Sequence, residues 1–138
     1  MSGTQREQKQ RTNSGKRVRG TAIVVRRGAL LLVQERANDH YSLPGGAHEN
    51  GETWMCTAVR ELKEELNLNV RRAERLAGFD FDSEHRAHKL SLLTTDQEPE
   101  ITCKDIRDVI WWNPDSTVSV APSVPAIWDK LRAAGLIS

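Results

Sequence analysis

The sequence predicts an α+β protein in which a mixed β-sheet packs between helices. Two observations carry this prediction. Short runs rich in valine, isoleucine and leucine recur along the chain between glycine, proline and polar clusters, which is typical of strands and their turns. Two other segments carry apolar residues at helical spacing, and they do not alternate regularly with the strands. Without that alternation, a mixed sheet is expected rather than an all-parallel one.

Extended segments and two helices account for the predicted domain. The first two strands are rich in β-branched and aliphatic residues, and Gly28 marks the turn between them. The glycines after Pro44 predict a second turn, where the backbone can come close to a ligand or an ion. The first helix is predicted to begin directly after Thr53, which is a suitable N-cap. The predicted extended segments are 18–26, 29–35, 41–43, 69–81, 87–95 and 106–112, and the predicted helices are 54–66 and 124–134.

Residues 1–16 differ in composition from the rest of the chain. They are polar and basic, and no aliphatic side chain follows Met1. Such a segment cannot bury enough apolar surface to offset the entropy lost on ordering. We therefore expect a disordered basic tail at 1–16, followed by one domain at 17–138, a length that suits a single domain.

The composition argues against several classes of protein. With 20 Lys and Arg against 19 Asp and Glu, the net charge of +1 gives no global field for nucleic acid or a membrane. No apolar run approaches the roughly 18 residues that cross a bilayer, and no signal peptide is visible. Cys56 and Cys103 lack the spacing of a metal site, and Cys56 is expected in the core. We expect a cytoplasmic protein with both thiols reduced.

The helix predicted at 54–66 gathers three glutamates on one side. Glu61, Glu64 and Glu65 follow each other at i, i+3 and i+4, so they share an arc of roughly 100°. Like charges this close repel by a few tenths of a kcal/mol per pair, and a divalent cation relieves the repulsion. Carboxylate oxygens are the ligands that Mg²⁺ and Mn²⁺ take. An apolar stripe lies roughly opposite the glutamates and consists of Met55, Val59, Leu62 and Leu66.

The stretch 46–68 resembles the signature of the Nudix hydrolase family. That signature is Gly, five residues, Glu, seven residues, Arg-Glu, an aliphatic residue, one residue, Glu-Glu, one residue, Gly and an aliphatic residue. Eight of its nine positions match, and Asn67 replaces the second glycine. That position ends the helix in a left-handed conformation, for which Asn is the next-best residue. The matching residues are Gly46, Glu52, Arg60, Glu61, Leu62, Glu64, Glu65 and Leu68.

The resemblance implies a compact α/β/α sandwich and a hydrolase that cleaves a phosphoanhydride with Mg²⁺ or Mn²⁺. It also implies that Arg60 pairs with Glu52 and pins the preceding loop to the helix, as a bidentate fork would. The general base is left open between Glu52 and Glu61. The metal ligands implied are Glu61, Glu64, Glu65 and the backbone carbonyl of Gly45.

A further acidic group lies outside the signature. Segment 105–111 resembles the acid–Ile–x–acid–Val–x–Trp segment that closes the active site in this family. The resemblance implies that Asp105 supplies an extra metal ligand or the general base. Glu98 and Glu100 are rival candidates, and for all three a solvated surface role is the alternative.

Substrate contacts are predicted from three further positions. Arg36 resembles a phosphate-contacting arginine of some family members, and Tyr41 and Gly46 lie near the predicted mouth. Two of five large side chains are expected to line a slot for the base. These five are Tyr41, Phe79, Phe81, Trp111 and Trp112. The histidines lack zinc spacing and are expected at the surface or in packing; they are His40, His48, His85 and His88.

The resemblance leaves the substrate open. We favour conversion of a nucleoside triphosphate, (d)NTP, to the monophosphate and pyrophosphate, because the chain is small and shows no added dimerisation domain. A nucleotide sugar, a dinucleoside polyphosphate or the 5′ end of an RNA are alternative substrates, and a non-catalytic nucleotide-binding module is a further alternative. Residues 122–125 lack the asparagine with which some relatives recognise 8-oxo-guanine. We expect a small-molecule nucleotide as partner, no membrane, no nucleic acid, and a monomer or homodimer.

Overall fold

The computed structural model describes residues 10–12 and 14–137, and in this part of the chain a layer of strands lies between two helices. The strands are β1 (Arg17–Ile23), β2 (Val25–Arg26), β3 (Ala29–Glu35), β4 (Gly45–Ala47), β5 (Arg72–Arg75), β6 (Phe81–Asp82), β7 (Arg86–Thr94) and β8 (Ile106–Trp112). The helices are α1 (Trp54–Leu66) and α2 (Ser123–Ala133), and a 3₁₀ turn spans Ala77–Phe79.

The strands form two hydrogen-bonded groups. In the larger group the order is β4-β1-β7-β5, and β6 also pairs with β7. β1 runs parallel to β7, from Arg17 beside Arg86 to Ile23 beside Leu92, while its other edge pairs antiparallel with β4. The smaller group, β2-β3-β8, is antiparallel throughout. This combination of parallel and antiparallel pairs confirms the predicted mixed sheet.

Alternate residues of the strands supply two cores, one on each face of the strand layer. On β3, Leu30 and Leu32 pack with α2, whereas Leu31 and Val33 pack with α1. This alternation is expected for strands that are covered on both faces. The predicted α+β class and α/β/α sandwich are therefore confirmed. The buried helical residues of the two cores are Ala58, Leu62 and Leu66 of α1 and Val124, Ile127, Trp128 and Leu131 of α2.

The limits of α1 are those predicted, and both ends are capped. The Thr53 hydroxyl accepts a hydrogen bond from the Cys56 N–H at 3.0 Å. Asn67 adopts the left-handed conformation (φ 55°, ψ 37°), and its N–H donates to the Lys63 carbonyl. Its side chain accepts from Lys63 Nζ at 2.8 Å and donates to Glu100 Oε1 at 3.0 Å. The one departure from the family signature thus ties the end of α1 to the loop between β7 and β8.

The buried face of α1 differs from the predicted aliphatic stripe. Met55 is only half-buried, and Cys56, which was expected in the core, is exposed. The close approach of β1 explains the difference, because a Cβ on Gly20 would lie 2.6 Å from the Cβ of Thr57. Small residues therefore set this contact and turn the buried face away from Met55. The buried residues of α1 are Thr57, Ala58, Leu62, Glu65 and Leu66.

Three predicted segments have different limits. The single strand predicted at 69–81 is wrong, because β5 and β6 are separated by the 3₁₀ turn. Asp80 causes the break: its carboxylate accepts the Leu90 N–H at 2.8 Å and pairs with Arg75 at 2.7 Å, which replaces a backbone partner of β7. The turn predicted at Gly45 and Gly46 is also wrong, since both belong to β4. The predicted strand 18–26 is divided between β1 and β2.

Part of the predicted tail is described and lies against β1. The Val18 N–H donates to the Gln10 carbonyl at 2.9 Å, and the Thr12 N–H donates to the Lys16 carbonyl at 2.8 Å. Residues 1–9 and 13 lie outside the described residues, so for them the disorder stays a prediction. Within the described ranges, no helix is long and apolar enough to cross a membrane.

Candidate active site

The guanidinium group of Arg60 joins the loop before α1 to the glutamates on the helix. Nε donates to Glu52 Oε2 at 2.6 Å and Nη2 donates to Glu52 Oε1 at 3.2 Å, which is the fork expected from the sequence. Nη1 donates to Glu61 Oε2 at 2.9 Å and lies 3.3 Å from Glu64 Oε1. Nη2 also donates to the Ala47 carbonyl at 3.1 Å. The hydrogen bond between Arg60 and Glu52 is the main reason that the pKa of Glu52 is lowered and that of Arg60 raised.

Glu61 and Glu65 lie together in a largely buried space. The side chain of Glu61 is 16% exposed, and Glu65 is 9% exposed. Burial, followed by the charge of Glu61, raises the pKa of Glu65 to about 8. In the described part of the chain, Oε1 of Glu65 is buried and has no hydrogen-bond partner. The repulsion inferred from the spacing of the glutamates is therefore present in the folded protein. Glu64 differs, because its side chain is 56% exposed.

The donor set fits a divalent cation, although the carboxylates are not gathered around one point. Across residues 10–12 and 14–137, no three carboxylate, imidazole or thiol groups converge closely enough to hold one ion. Arg60 Nη1 donates to both Glu61 and Glu64, so oxygens of both carboxylates are already engaged by a cation. A bound cation would give the unpartnered Oε1 of Glu65 a ligand partner. It would also oppose the rise in the pKa of Glu65. Gly45 is buried in β4 opposite Thr21, and its role as a carbonyl ligand stays a prediction.

Gly46 provides the space in which the Glu61 carboxylate lies. A Cβ at position 46 would collide with the carboxylate carbon of Glu61 and lie 2.5 Å from its oxygens. We expect Gly46→Ala to displace Glu61 and lower kcat by about tenfold or more, with an unchanged circular dichroism spectrum. Gly78→Ala is the matched control, because a Cβ there meets no atom within 4 Å. Equal rates for Gly46→Ala and wild type would contradict the placement of Glu61.

A cavity of about 610 Å³ opens on the α2 side of β1 and β7. The Phe81 ring stacks on His88 with the ring centroids 4.4 Å apart. His88 is held at both nitrogens, with Nδ1 3.1 Å from Thr21 Oγ1 and Nε2 3.2 Å from Ser83 Oγ. Phe79 also lines the cavity, so the cavity is lined by two of the five large side chains considered for the base slot. A partly aromatic wall with a few fixed polar groups suits a nucleobase.

Arg19 connects this cavity to the carboxylates, and the sequence analysis missed it. Arg19 lines the cavity, and its Nη1 lies 3.8 Å from Glu35 Oε2. Its charge also opposes the rise in the pKa of Glu65. Its Nε is buried and lacks a hydrogen-bond partner among the described residues. The available signal was period-2 alternation: Arg19 shares a strand face with Thr21 and Ile23, which are both buried.

His40 and His88, which were expected at the surface or in packing, also line the cavity, and His88 packs against Phe81. His48 does pack: it is 4% exposed, and its Nε2 lies 2.9 Å from the Glu52 carbonyl. Period-2 alternation again gave the missing signal for His88, which pairs in register with Arg19 on the neighbouring strand.

His88 makes the folding stability depend on pH. Burial, followed by the charges of Arg19 and Arg86, lowers the pKa of His88 from 6.5 to about 4. Between these two pKa values the unfolded chain binds a proton that the folded protein does not. The contribution of neutral His88 to the free energy of unfolding is therefore complete above pH 6.5 and is lost as the pH falls to 4. We expect the loss to be on the order of 1–2 kcal/mol after solvent screening. Thermal denaturation of wild type and His88→Gln across this range measures it, and identical pH slopes would contradict the assignment.

Two predicted substrate contacts lie elsewhere. The Arg36 side-chain Nε donates to the Lys104 carbonyl at 2.6 Å, and the Arg36 backbone N–H donates to the Asp105 carbonyl at 2.8 Å. Arg36 therefore binds the loop before β8. The Tyr41 hydroxyl donates to Asp108 Oδ2 at 2.5 Å. Neither residue lines the cavity, and Gly46 does not line it either. The side chains of Arg36 and Tyr41 form hydrogen bonds with residues in or next to the neighbouring strand β8. Sequence spacing does not show such contacts.

The acids proposed outside the signature also have other surroundings. Glu98 pairs with Arg26 at 2.8 Å, and Glu100 accepts from Asn67. Asp105 is exposed at the start of β8, so its part in catalysis stays a prediction. The loop that carries these acids nevertheless contacts the end of α1, because the Thr102 N–H donates to the Glu65 carbonyl at 3.0 Å.

Comparison with known proteins agrees with the motif and the fold. The family model described as NUDIX domain matches residues 16–130. No curated protein matches the chain in sequence. A Nudix hydrolase family member from Chromobacterium violaceum has a similar structure, with a TM-score of 0.73, 25% identity, and coverage of 88% of this chain and 80% of that one.

Two further solved structures share the fold at lower identity. The MutT Nudix hydrolase from Burkholderia pseudomallei has a TM-score of 0.73 at 24% identity and covers 84% of this chain and 98% of its own. An ADP-ribose pyrophosphatase from Streptococcus suis has a TM-score of 0.66 at 18% identity and covers 83% of this chain and 91% of its own. With the family model matched over most of its length, the chain belongs to the Nudix family and is a hydrolase that acts on acid anhydrides.

Proposed function

We propose that this protein is a Mg²⁺- or Mn²⁺-dependent pyrophosphohydrolase of a nucleoside diphosphate derivative, and that a nucleoside triphosphate, cleaved to monophosphate and pyrophosphate, is its favoured substrate. The observation that carries the proposal is the position of Arg19. This residue lines the cavity, its Nη1 lies 3.8 Å from Glu35 Oε2, and its charge opposes the rise in the pKa of Glu65. A nucleoside in the cavity would therefore direct its phosphates past a cation towards the glutamates of α1.

The names of the structural relatives support the nucleotide class. One neighbour is a MutT Nudix hydrolase, and another is the NUDIX domain of Shewanella oneidensis NrtR complexed with ADP ribose. ADP ribose joins a nucleoside to a diphosphate, which is the feature that the cavity and the acidic helix would recognise together. Residues 122–125, of which Pro122 and Ser123 line the cavity, include no asparagine, which argues against 8-oxo-guanine as the base.

The cation would be held by Glu61, Glu64, Glu65 and the Gly45 carbonyl. When bound, such an ion polarises the phosphate and lowers the pKa of a water molecule. Of the two candidates for the general base, Glu52 is the less suited. Its oxygens accept from Arg60, Thr57 and the Glu49 N–H, and the Arg60 hydrogen bond lowers its pKa. We therefore assign proton acceptance to Glu61.

The contacts of Arg60, Arg19 and the aromatic pair support the remaining roles. Arg60 orients Glu61 through Nη1 and fixes the preceding loop through Glu52. Arg19 binds a phosphate oxygen, and the stacked Phe81–His88 pair supports the base. Rates are expected to rise towards alkaline pH, because water must lose a proton near several carboxylates.

A panel of nucleotides, nucleotide sugars and dinucleoside polyphosphates, hydrolysed in ¹⁸O-labelled water with and without Mg²⁺, tests the proposal. Label in the monophosphate or in the pyrophosphate reports which phosphorus is attacked. We expect triphosphates to give the highest kcat/KM and chelation to stop the reaction. If no phosphoanhydride in the panel is cleaved while nucleotides bind, the non-catalytic alternative replaces the enzyme.

A further inference from the structure

Three arginines lie next to one another where β1 and β7 begin. Arg17 of β1 is the register partner of Arg86 on β7, and it also forms an isolated antiparallel bridge with Arg11. All three side chains are exposed. Residues directly opposite each other point to the same face, so three like charges lie side by side and repel one another. We call Arg11, Arg17 and Arg86 the arginine row.

The arginine row borders a second hollow of about 500 Å³. Lys16 adds a fourth cation, and Glu84 is the one carboxylate in the lining. Lys16 is already paired with Asp82 at 3.4 Å, and Glu84 lies 3.4 Å from His85. Among residues 10–12 and 14–137, neither Arg17 nor Arg86 forms an ion pair. The hollow thus has an excess of positive charge that an anion would neutralise.

The second hollow adjoins the cavity proposed for the nucleoside. Glu84 and Arg86 line both. Along β1, Arg17 and Arg19 lie two residues apart and therefore on the same face, and Arg19 lines the cavity. Cationic groups thus extend from the arginine row to Arg19 and on towards the glutamates of α1. A nucleotide with its anhydride at α1 would have its opposite end near the arginine row.

We propose that the arginine row binds a second phosphate of the substrate, attached to the nucleoside on the side away from the anhydride that is cleaved. The substrate would then be phosphorylated at both ends, as in a nucleotide with a 3′-phosphate or in the first nucleotide of a 5′-triphosphorylated chain. Guanidinium groups bind phosphate through paired charge-assisted hydrogen bonds, which suits a row of arginines. This inference rests on the proposed function, because it takes the nucleoside to lie in the cavity.

Product binding tests the inference without catalysis. Calorimetric titration would compare a nucleoside 3′,5′-bisphosphate with the matching 5′-monophosphate, for adenosine and for guanosine. We expect the bisphosphate to bind about tenfold more tightly, and Arg17→Gln with Arg11→Gln to reduce the ratio to about threefold or less. Arg72→Gln, which removes an exposed arginine from β5, is the control and should keep the ratio. Equal affinities in wild type, or an equal loss in the control, would overturn the inference.

Turnover then separates the two sources of the second phosphate. A nucleoside triphosphate, its 3′-phosphorylated form and a 5′-triphosphorylated oligoribonucleotide would be compared by kcat/KM at about 50 mM and about 300 mM salt. A gain for the 3′-phosphorylated nucleotide alone identifies a mononucleotide, and a gain for the oligonucleotide identifies a chain end; both should weaken with salt. Equal rates for all three would overturn the inference and leave the proposed function intact. Failure to hydrolyse any of them overturns the triphosphate as substrate in the proposed function, while the titration still decides whether the arginine row binds phosphate.

Discussion

Glu65→Gln is expected to lower kcat by about 10²- to 10³-fold while the protein stays folded. Glu65 is 9% exposed, lies against Glu61 and has an oxygen with no hydrogen-bond partner in the described part of the chain. An amide of the same shape cannot supply the anionic oxygen that a divalent cation needs. It also removes a carboxylate that is costly to ionise in this position. We therefore expect the melting temperature without metal to be at least that of wild type.

Manganese titration gives this prediction a second measurement. For wild type, saturating Mn²⁺ should raise the melting temperature through binding to the folded state, and the rise should be absent from Glu65→Gln. Glu64→Gln should lose most of its turnover as well, whereas Glu52→Gln should lose less than either. A Glu65→Gln enzyme with a near-wild-type rate would show that the ligand assignment is wrong.

Arg60→Ala is expected to damage stability and activity together. The change leaves Glu52 and Glu61, with side chains 18% and 16% exposed, without their cationic partner. Breaking a pair of this burial is expected to cost about 2–3 kcal/mol, below the value for a fully buried pair because Arg60 is partly solvated. The loop loses its tie to α1, so Glu61 is no longer held in one orientation. We expect kcat/KM to fall by about 10²-fold.

Arg60→Lys distinguishes charge from geometry. An ammonium group restores one positive charge but not the two parallel hydrogen bonds to Glu52, so recovery should be partial in stability and smaller still in kcat. Chemical denaturation and steady-state kinetics on the same preparations measure both quantities. Full recovery by lysine would mean that the fork to Glu52 contributes no orientation, and the positioning role of Arg60 would have to be abandoned.

The extent to which the sequence predicted this molecule depended on the kind of interaction. The limits of α1 and its Thr53 cap follow from local spacing, the left-handed end at Asn67 and the Arg60–Glu52 fork follow from the family resemblance, and all are present. Strand positions with strong aliphatic patterns, such as 29–35 and 106–112, were also predicted at their observed limits. Short-range chemistry was therefore accessible without coordinates.

Features set by contacts across the fold were not accessible in this way. The face that α1 buries depends on the approach of Gly20, far earlier in the chain, so Cys56 was misplaced. The break near Asp80 depends on the Leu90 N–H of a neighbouring strand. Arg36 donates to backbone carbonyls of the loop before β8, and Arg19, for which the sequence predicted no role, lines the cavity.

The parallel pairing of β1 with β7 also sets when the protein can become active during synthesis. β7 is the common partner of β1, β5 and β6. A nascent chain that ends before Arg86 already contains α1 and its glutamates. In that chain, the three-residue β4 is the remaining strand partner of β1 within the larger group. Non-local parallel pairs form slowly, because a long loop must close before its contacts contribute. Chains still emerging from the ribosome would therefore leave one edge of β1 unpaired, and we expect both completion of the larger strand group and hydrolysis to begin only after β7 has been released.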